Sequence, residues 1–205
     1  VSAYYPIFLD LTQRSCLVVG GGAVAERKVQ GLLEAKAAVT VVSPSVTKAL
    51  RLWAAGGVLR HLPRPFQEQD VEGRALVIAA TNRCETNARV AAAARRRGIW
   101  VNVVDTPDAC DFIAPAVLRR GSLQIAISTG GKSPLLAKRL REGLEALIGP
   151  EYGELVDALG AMRAAVRRRE EPSEGWRAMF QRRIEAAGLP LLTAVAPAEP
   201  LMTSP

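Results

Sequence analysis

Ser15-Cys-Leu-Val-Val-Gly-Gly-Gly-Ala-Val-Ala-Glu-Arg-Lys28 is the stretch that decides the fold. It reads as a short apolar strand that runs into three glycines and then opens a helix. Gly20, Gly22 and Ala25 stand at the G-x-G-x-x-G/A spacing of a dinucleotide-binding turn. Gly20 makes the tight turn, and Gly22 lets the backbone approach a pyrophosphate with no side chain in the way. Ala25 is small enough for the helix to pack closely on the sheet. The helix opens at Ala23 and Val24, whose free N–H groups and positive dipole end point at the phosphates.

Outward from this turn, strand and helix signals alternate. A helix over 23–35 carries Val29, Leu32 and Leu33 on its apolar side, and Val39–Val42 is a short, β-branched second strand. A helix near 45–55 and a strand near Val58–His61 follow. Ala75–Ala80 is a continuous apolar run, as a strand buried on both faces requires. A helix over 85–97 ends at Gly98, and Ile99–Val104 is the next strand. The alternation predicts an α/β fold with a Rossmann-type, doubly wound parallel sheet.

The character changes after residue 105. Phe112–Leu118 and Leu123–Ser128 read as strands of a second unit, and Gly130-Gly-Lys-Ser-Pro134 starts a basic helix over Leu135–Leu147. Gly149-Pro150 breaks it, and helical periodicity resumes over 151–169 and 173–187. The expected organisation is a Rossmann domain over 1–112, a small α+β segment over 113–148 and a C-terminal helical region over 149–188. The stretch 189–205, rich in Pro, Ala and Thr, is expected to be a flexible tail.

Bulk properties narrow the class. The chain has 205 residues, 49% of them apolar, so it can bury a sizeable core. No apolar run approaches the roughly 20 residues that span a bilayer. The start lacks a secretory pattern, and three widely spaced cysteines without a C-x-x-C pair argue against a disulfide framework. A cytoplasmic protein with no membrane partner is expected. The net charge of +7 suggests an anionic partner, or else a solvated basic surface, which suits many of the arginines as well. Nucleic acid is disfavoured, because no zinc-finger spacing is present and aromatics make up only 5% of the chain.

Several residues carry chemistry in this pattern. Strands of a doubly wound sheet present ligands at their carboxyl ends. The second strand ends in Ser43-Pro44-Ser45, where an acidic ribose-binding residue commonly stands. These serines either bond a ribose or simply begin a helix, with Ser45 as N-cap. Thr81 and Asn82 close the fourth strand and line the cofactor crevice, or else shape a turn. Asn102 and Asp105 end the fifth strand, where Asn102 is expected to bind substrate and the Asp105 carboxylate can accept a proton or bind a metal. Otherwise Asp105 is a solvated loop residue. His61, the only histidine, reads as a surface imidazole, so neither a Ser-His-Asp triad nor a histidine metal site is expected. Cys110 reads as a packed small residue in a turn. Thr129, Gly130, Gly131, Lys132 and Ser133 lack the Walker spacing, yet two glycines and a lysine at a helix start form either an anion site or a tight turn. No metal-ligand cluster is visible.

In sequence order, Tyr5-Pro-Ile-Phe-Leu-Asp-Leu11, Val18–Lys28, Val39–Pro44, Ala79–Asn82, Asn102–Asp105, Asp111-Phe-Ile-Ala-Pro115, Ile127–Pro134 and Leu136–Arg141 resemble the precorrin-2 dehydrogenase family of sirohaem biosynthesis. That family includes stand-alone dehydrogenases and the amino-terminal half of fused sirohaem synthases. The resemblance implies NAD as cofactor, precorrin-2 and sirohydrochlorin as anionic tetrapyrrole substrate and product, and a homodimer built largely by the segment after the Rossmann unit. It implies Asp105 as the functional aspartate, acting as a base or in metal handling. In bifunctional relatives ferrous iron is inserted into sirohydrochlorin, so ferrous or cobaltous ion is a further expected substrate. Basic residues suit the carboxylates of such a substrate. The sequence shows no methyltransferase domain, so methylation of uroporphyrinogen is not expected. Two rival readings are a non-catalytic, NAD-sensing Rossmann module and a nucleic-acid binder using the arginine-rich helices.

Overall fold

The computed structural model describes residues 4–168 and 174–190. The chain divides into two compact units, Val1–Ala114 and Pro115–Pro205.

The first unit holds a five-stranded sheet. Its strands are β1 (Ser15–Val19), β2 (Ala38–Val42), β3 (Arg60–Leu62), β4 (Leu76–Ala79) and β5 (Trp100–Val103), in the order β3-β2-β1-β4-β5 and all parallel. Helices α1 (Ala23–Glu34), α2 (Lys48–Ala55) and α3 (Cys84–Arg95) connect them. The central strand explains its own sequence. Cys16, Leu17, Val18 and Val19 are all at most 2% exposed, because each face of β1 is covered. Cys16 and Val18 join a core with Ala25, Val29 and Leu32 of α1, whereas Leu17 and Val19 join one with Val90, Ala91 and Ala94 of α3. Alternate side chains of one strand therefore feed two cores. Burial pushes the Cys16 thiol up to about 11, against the opposing charge of Arg74, which makes it an inert core thiol.

Boundaries differ from the sequence reading in places with local causes. Helix α2 starts at Lys48, not near 45, because Thr47 is its N-cap and accepts from the Leu50 N–H at 3.3 Å. Ser45 is therefore not the cap. The strand expected from Phe112 begins only at Ala116, after Pro115. Phe112 instead packs against the first core, with its carbonyl held by Asn102. His61 is half-buried rather than a surface imidazole, and its Nε2 lies 2.9 Å from the Ser43 carbonyl oxygen.

Ahead of β4, a buried ionic knot ties the sheet's lower end. Arg64 grips Asp70 through two bonds of 2.6 and 2.9 Å, with Asp70 only 4% exposed in its side chain. Arg74 donates to the Asp70 carbonyl, to Ser15 Oγ and to Thr40 Oγ1, so one guanidinium links the start of β1 to the middle of β2.

The second unit opens with an antiparallel hairpin, β6 (Ala116–Arg120) and β7 (Leu123–Ile127). Helices α4 (Pro134–Leu147), α5 (Pro150–Arg168) and α6 (Glu174–Ala186) follow. Leu118, Ile148, Tyr152, Leu155 and Leu189 share one core. A side chain at Gly153 would collide with the Arg120 carbonyl, so glycine lets α5 lie against β6. Arg120 reaches the other way and donates to the Ile148 and Glu145 carbonyls, satisfying acceptors at the end of α4. Leu189 begins the stretch expected as a tail; residues 191–205 lie outside the described residues.

Candidate functional site

The carboxyl ends of the parallel strands open into a cavity of about 810 Å³, within the range of sites for small molecules and cofactors. Its floor is the glycine turn. Gly20 has φ +124°, and a Cβ there would collide with the Ala80 carbonyl, so the turn between β1 and α1 lies directly against the end of β4. A Cβ on Gly21 would collide with the Ser45 carbonyl, while one on Gly22 would meet nothing within 4 Å. The first two glycines pack the turn against protein, and the third leaves open space above it. Gly22 is the N-cap of α1 and makes no side-chain cap bond, so the first N–H groups of α1 lack a side-chain acceptor. An open approach and uncapped N–H groups suit a dinucleotide pyrophosphate.

The cavity brings together Gly20, Gly22, Ala23, Val24, Ser43, Pro44, Ser45, Thr81, Asn82 and Asp105. Ser43 Oγ donates to the Ser45 carbonyl at 2.7 Å, and the Ser43 carbonyl accepts from His61, which fixes the turn after β2. Thr81 is locked by Asn87 of α3. The Asn87 Oδ1 accepts from the Thr81 hydroxyl at 2.7 Å and its N–H at 3.2 Å, and Nδ2 donates to the Thr81 carbonyl at 3.0 Å. Buried Asn87 is a positioning residue that the sequence reading missed.

Asp105 stands on a short loop after β5 with φ +59°, in the left-handed region uncommon for residues other than glycine. The loop is closed at its base. Asp111 N–H donates to the Val101 carbonyl, and Asp111 Oδ2 accepts from the Val101 N–H at 3.0 Å. Cys110 bonds to both backbone groups of Val103, a fuller role than the packing expected of it. Asn102, expected to face substrate, is 6% exposed and does not line the cavity. Its Nδ2 donates to the Phe112 carbonyl at 2.9 Å and to Cys110 Sγ at 3.4 Å, so its amide hydrogens serve the loop.

Lys28 lies on α1, one helical turn beyond Val24. Burial chiefly, and the charge of Arg27, hold its amine below the ordinary lysine value, while Asp105 and Cys110 act in the opposite sense. The lining also includes Gly21, Pro65, Phe66, Arg83, Thr86 and Arg89, none of them singled out from sequence. The run of three consecutive glycines is a usable signal for Gly21, its middle member; Pro65 and Phe66 sit in a loop without a motif.

Thr129, Gly130, Gly131, Lys132 and Ser133 belong to the second unit. Gly130 and Gly131 take φ +62° and +79°, the Ser133 N–H donates to Thr129 Oγ1, and Ser133 Oγ caps α4 by accepting from Leu136. Among the described residues no group of three or more His, Cys, Asp or Glu could hold a metal ion, and no helix is long and apolar enough to cross a membrane.

The sheet order, the glycine turn and the cavity above it define a Rossmann-type dinucleotide-binding protein. A family described as putative NAD(P)-binding matches residues 7–116, and one described as the central part of a sirohaem biosynthesis protein matches 120–147. The solved structure of SirC, a precorrin-2 dehydrogenase, superposes with a TM-score of 0.69 at 33% identity, covering 90% of this chain and 88% of that one. The chain belongs to the precorrin-2 dehydrogenase family. Siroheme synthase of Nitrosomonas europaea is 46% identical over 183 residues, and that of Thioalkalivibrio sulfidiphilus 44% over 182. Each alignment covers 89% of this chain, which spans only 38% and 37% of those relatives' lengths.

Proposed function

We propose that this chain oxidises precorrin-2 to sirohydrochlorin with NAD as hydride acceptor. The observation that carries the reading is the meeting of Asp105 and the glycine turn in one cavity. The uncapped start of α1 and open Gly22 take the pyrophosphate, the turn Ser43–Ser45 takes the adenosine ribose, and Thr81 and Asn82 border the nicotinamide side. When bound, NAD accepts a hydride from the reduced tetrapyrrole. A proton must also leave, and the Asp105 carboxylate is the base for it. The Thr129–Ser133 turn, with two glycines and Lys132, is proposed to hold an anionic group of the substrate.

The test is anaerobic incubation of the chain with precorrin-2 and NAD, read by NADH and sirohydrochlorin absorbance. Both should appear together. Folded protein that binds NAD but forms neither product would leave the NAD-sensing module as the better reading. Asp105→Ala should lower kcat by about 100-fold or more while NAD still binds. Full replacement of NAD by NADP would overturn the choice of cofactor.

Among the described residues Asp105 is the one carboxylate lining the cavity, so it is also the group to handle a metal substrate in a chelatase step. Addition of ferrous or cobaltous ion to sirohydrochlorin and protein tests that step directly.

We propose a homodimer for the second unit. Leu136, Leu140 and Leu147 are 52%, 48% and 58% exposed and recur with Gly143 along one face of α4. A second copy is the partner that this apolar stripe fits. Sedimentation should give a dimer, and Leu140→Lys should give a folded monomer; an unchanged dimer would place the interface elsewhere.

A further inference from the structure

We propose that Arg83 and Arg89 form a carboxylate-binding rim that grips two acidic arms of the tetrapyrrole, an inference that rests on the dehydrogenase reading above. Both residues line the cavity and both are exposed. Neither guanidinium has a hydrogen bond or ion pair among the described residues. The contrast along the same helix and its end is sharp. Arg95, Arg96 and Arg97 lie away from the cavity, and they pair with Asp111, Glu68 and Glu72 respectively. Along α3 and just after it, the three arginines away from the cavity have carboxylate partners, and the two at the cavity have none among the described residues.

Strand order sets these cations on the β4 side of the glycine turn. The wall on the β2 side consists of Ser43, Pro44, Ser45, Pro65 and Phe66, none of them ionisable. Strand β1 and its glycine turn lie between β2 and β4, so α1 serves the pyrophosphate at the centre. Arg83 and Arg89 stand on the side opposite β2, after β4, in the half that also holds Asp105. Arg83 precedes the first turn of α3 and Arg89 lies six residues on, a rise of about 9 Å along the helix. That spacing suits two carboxylates on a broad macrocycle better than one phosphate, and guanidinium groups bind carboxylates bidentately.

The experiment uses the full chain with NAD present and uroporphyrin, a stable octacarboxylate tetrapyrrole, as fluorescent probe. Arg83→Gln and Arg89→Gln should each raise the Kd for uroporphyrin about tenfold. The Kd for NAD should stay within about twofold, and lysine at either position should recover part of the loss. With precorrin-2, KM should rise while kcat holds, since binding rather than chemistry is lost. Unchanged uroporphyrin affinity in the double variant overturns the proposal. Equal weakening of NAD also overturns it, by assigning the arginines to cofactor phosphates. Arginine-dependent uroporphyrin binding by a wild-type chain that forms no NADH upholds the rim and removes the dehydrogenase reading.

Discussion

The Cys110 Sγ lies 3.1 Å from the Val103 nitrogen and 3.1 Å from the Val103 carbonyl oxygen, so one thiol closes both backbone groups of a strand's last residue. The loop between them carries Asp105. A side chain thus does what a neighbouring strand would do, at the sheet edge where no sixth strand pairs among the described residues.

Removing that thiol should loosen the candidate base without touching the cofactor. Cys110→Ala is expected to lower kcat about threefold to tenfold and stability by about 1 kcal/mol. Cys110→Ser keeps a donor and an acceptor and should recover part of both. Amide exchange over residues 103–109 distinguishes the cases, because only the alanine variant should exchange faster there.

Gly20→Ala meets two obstacles, the φ of +124° and the Ala80 carbonyl. The expected cost is about 3 kcal/mol or more, with loss of NAD binding in any fraction that folds. Gly22→Ala should differ, because its Cβ enters open space: stability should change by about 1 kcal/mol or less while NAD affinity falls. Thermal melts with and without NAD separate fold from site.

His61 holds the Ser43 carbonyl in the turn proposed to take the adenosine ribose. His61→Ala should raise the KM for NAD about threefold to tenfold with kcat held within about twofold. His61→Asn or His61→Gln, which restore an N–H donor, should recover affinity. A fall in kcat with an unchanged KM would contradict this positioning role.

Asp70 predicts an acid limit. Burial alone would raise its pKa, but the Arg64 hydrogen bonds, the Gln67 N–H and the charges of Arg64 and Arg74 outweigh it and hold the carboxyl below its ordinary value. A depressed folded pKa contributes stability that is complete above the unfolded value near 3.9 and is lost as pH falls through the folded value. Denaturant melts of the wild type should therefore weaken below about pH 4. Asp70→Asn should be less stable at pH 7, with a flatter dependence across the acid range.

What the sequence made legible follows from periodicity and steric demand. The central strand is apolar on both faces because both are buried, and Gly20 is glycine because only glycine fits its φ and the Ala80 carbonyl. Asp105 was legible from its place at a strand end. Cys110 and Asn102 were not, because their roles depend on the loop folding back onto β5. Likewise, Arg83 and Arg89 look like any other arginines until the cavity and the acids near Arg95, Arg96 and Arg97 are seen together. Of the two readings open for Ser45, capping α2 falls to Thr47, two positions on, whose side chain accepts from the Leu50 N–H.

The strand order also dictates how the chain can be assembled during synthesis. β1 is the centre of the sheet, yet its second neighbour, β4, is made far later, and the Arg74 clasp on Ser15 spans 59 residues. Until β4 leaves the ribosome, β1 can pair on one side only, with β2 and beyond it β3, and its other side is an open apolar edge of the kind that recruits other chains. The emergence of Arg74 and β4 shuts it. Truncation before residue 74 should therefore yield insoluble chains, while a pause placed far enough downstream that β5 has cleared the ribosome should allow the whole sheet to close.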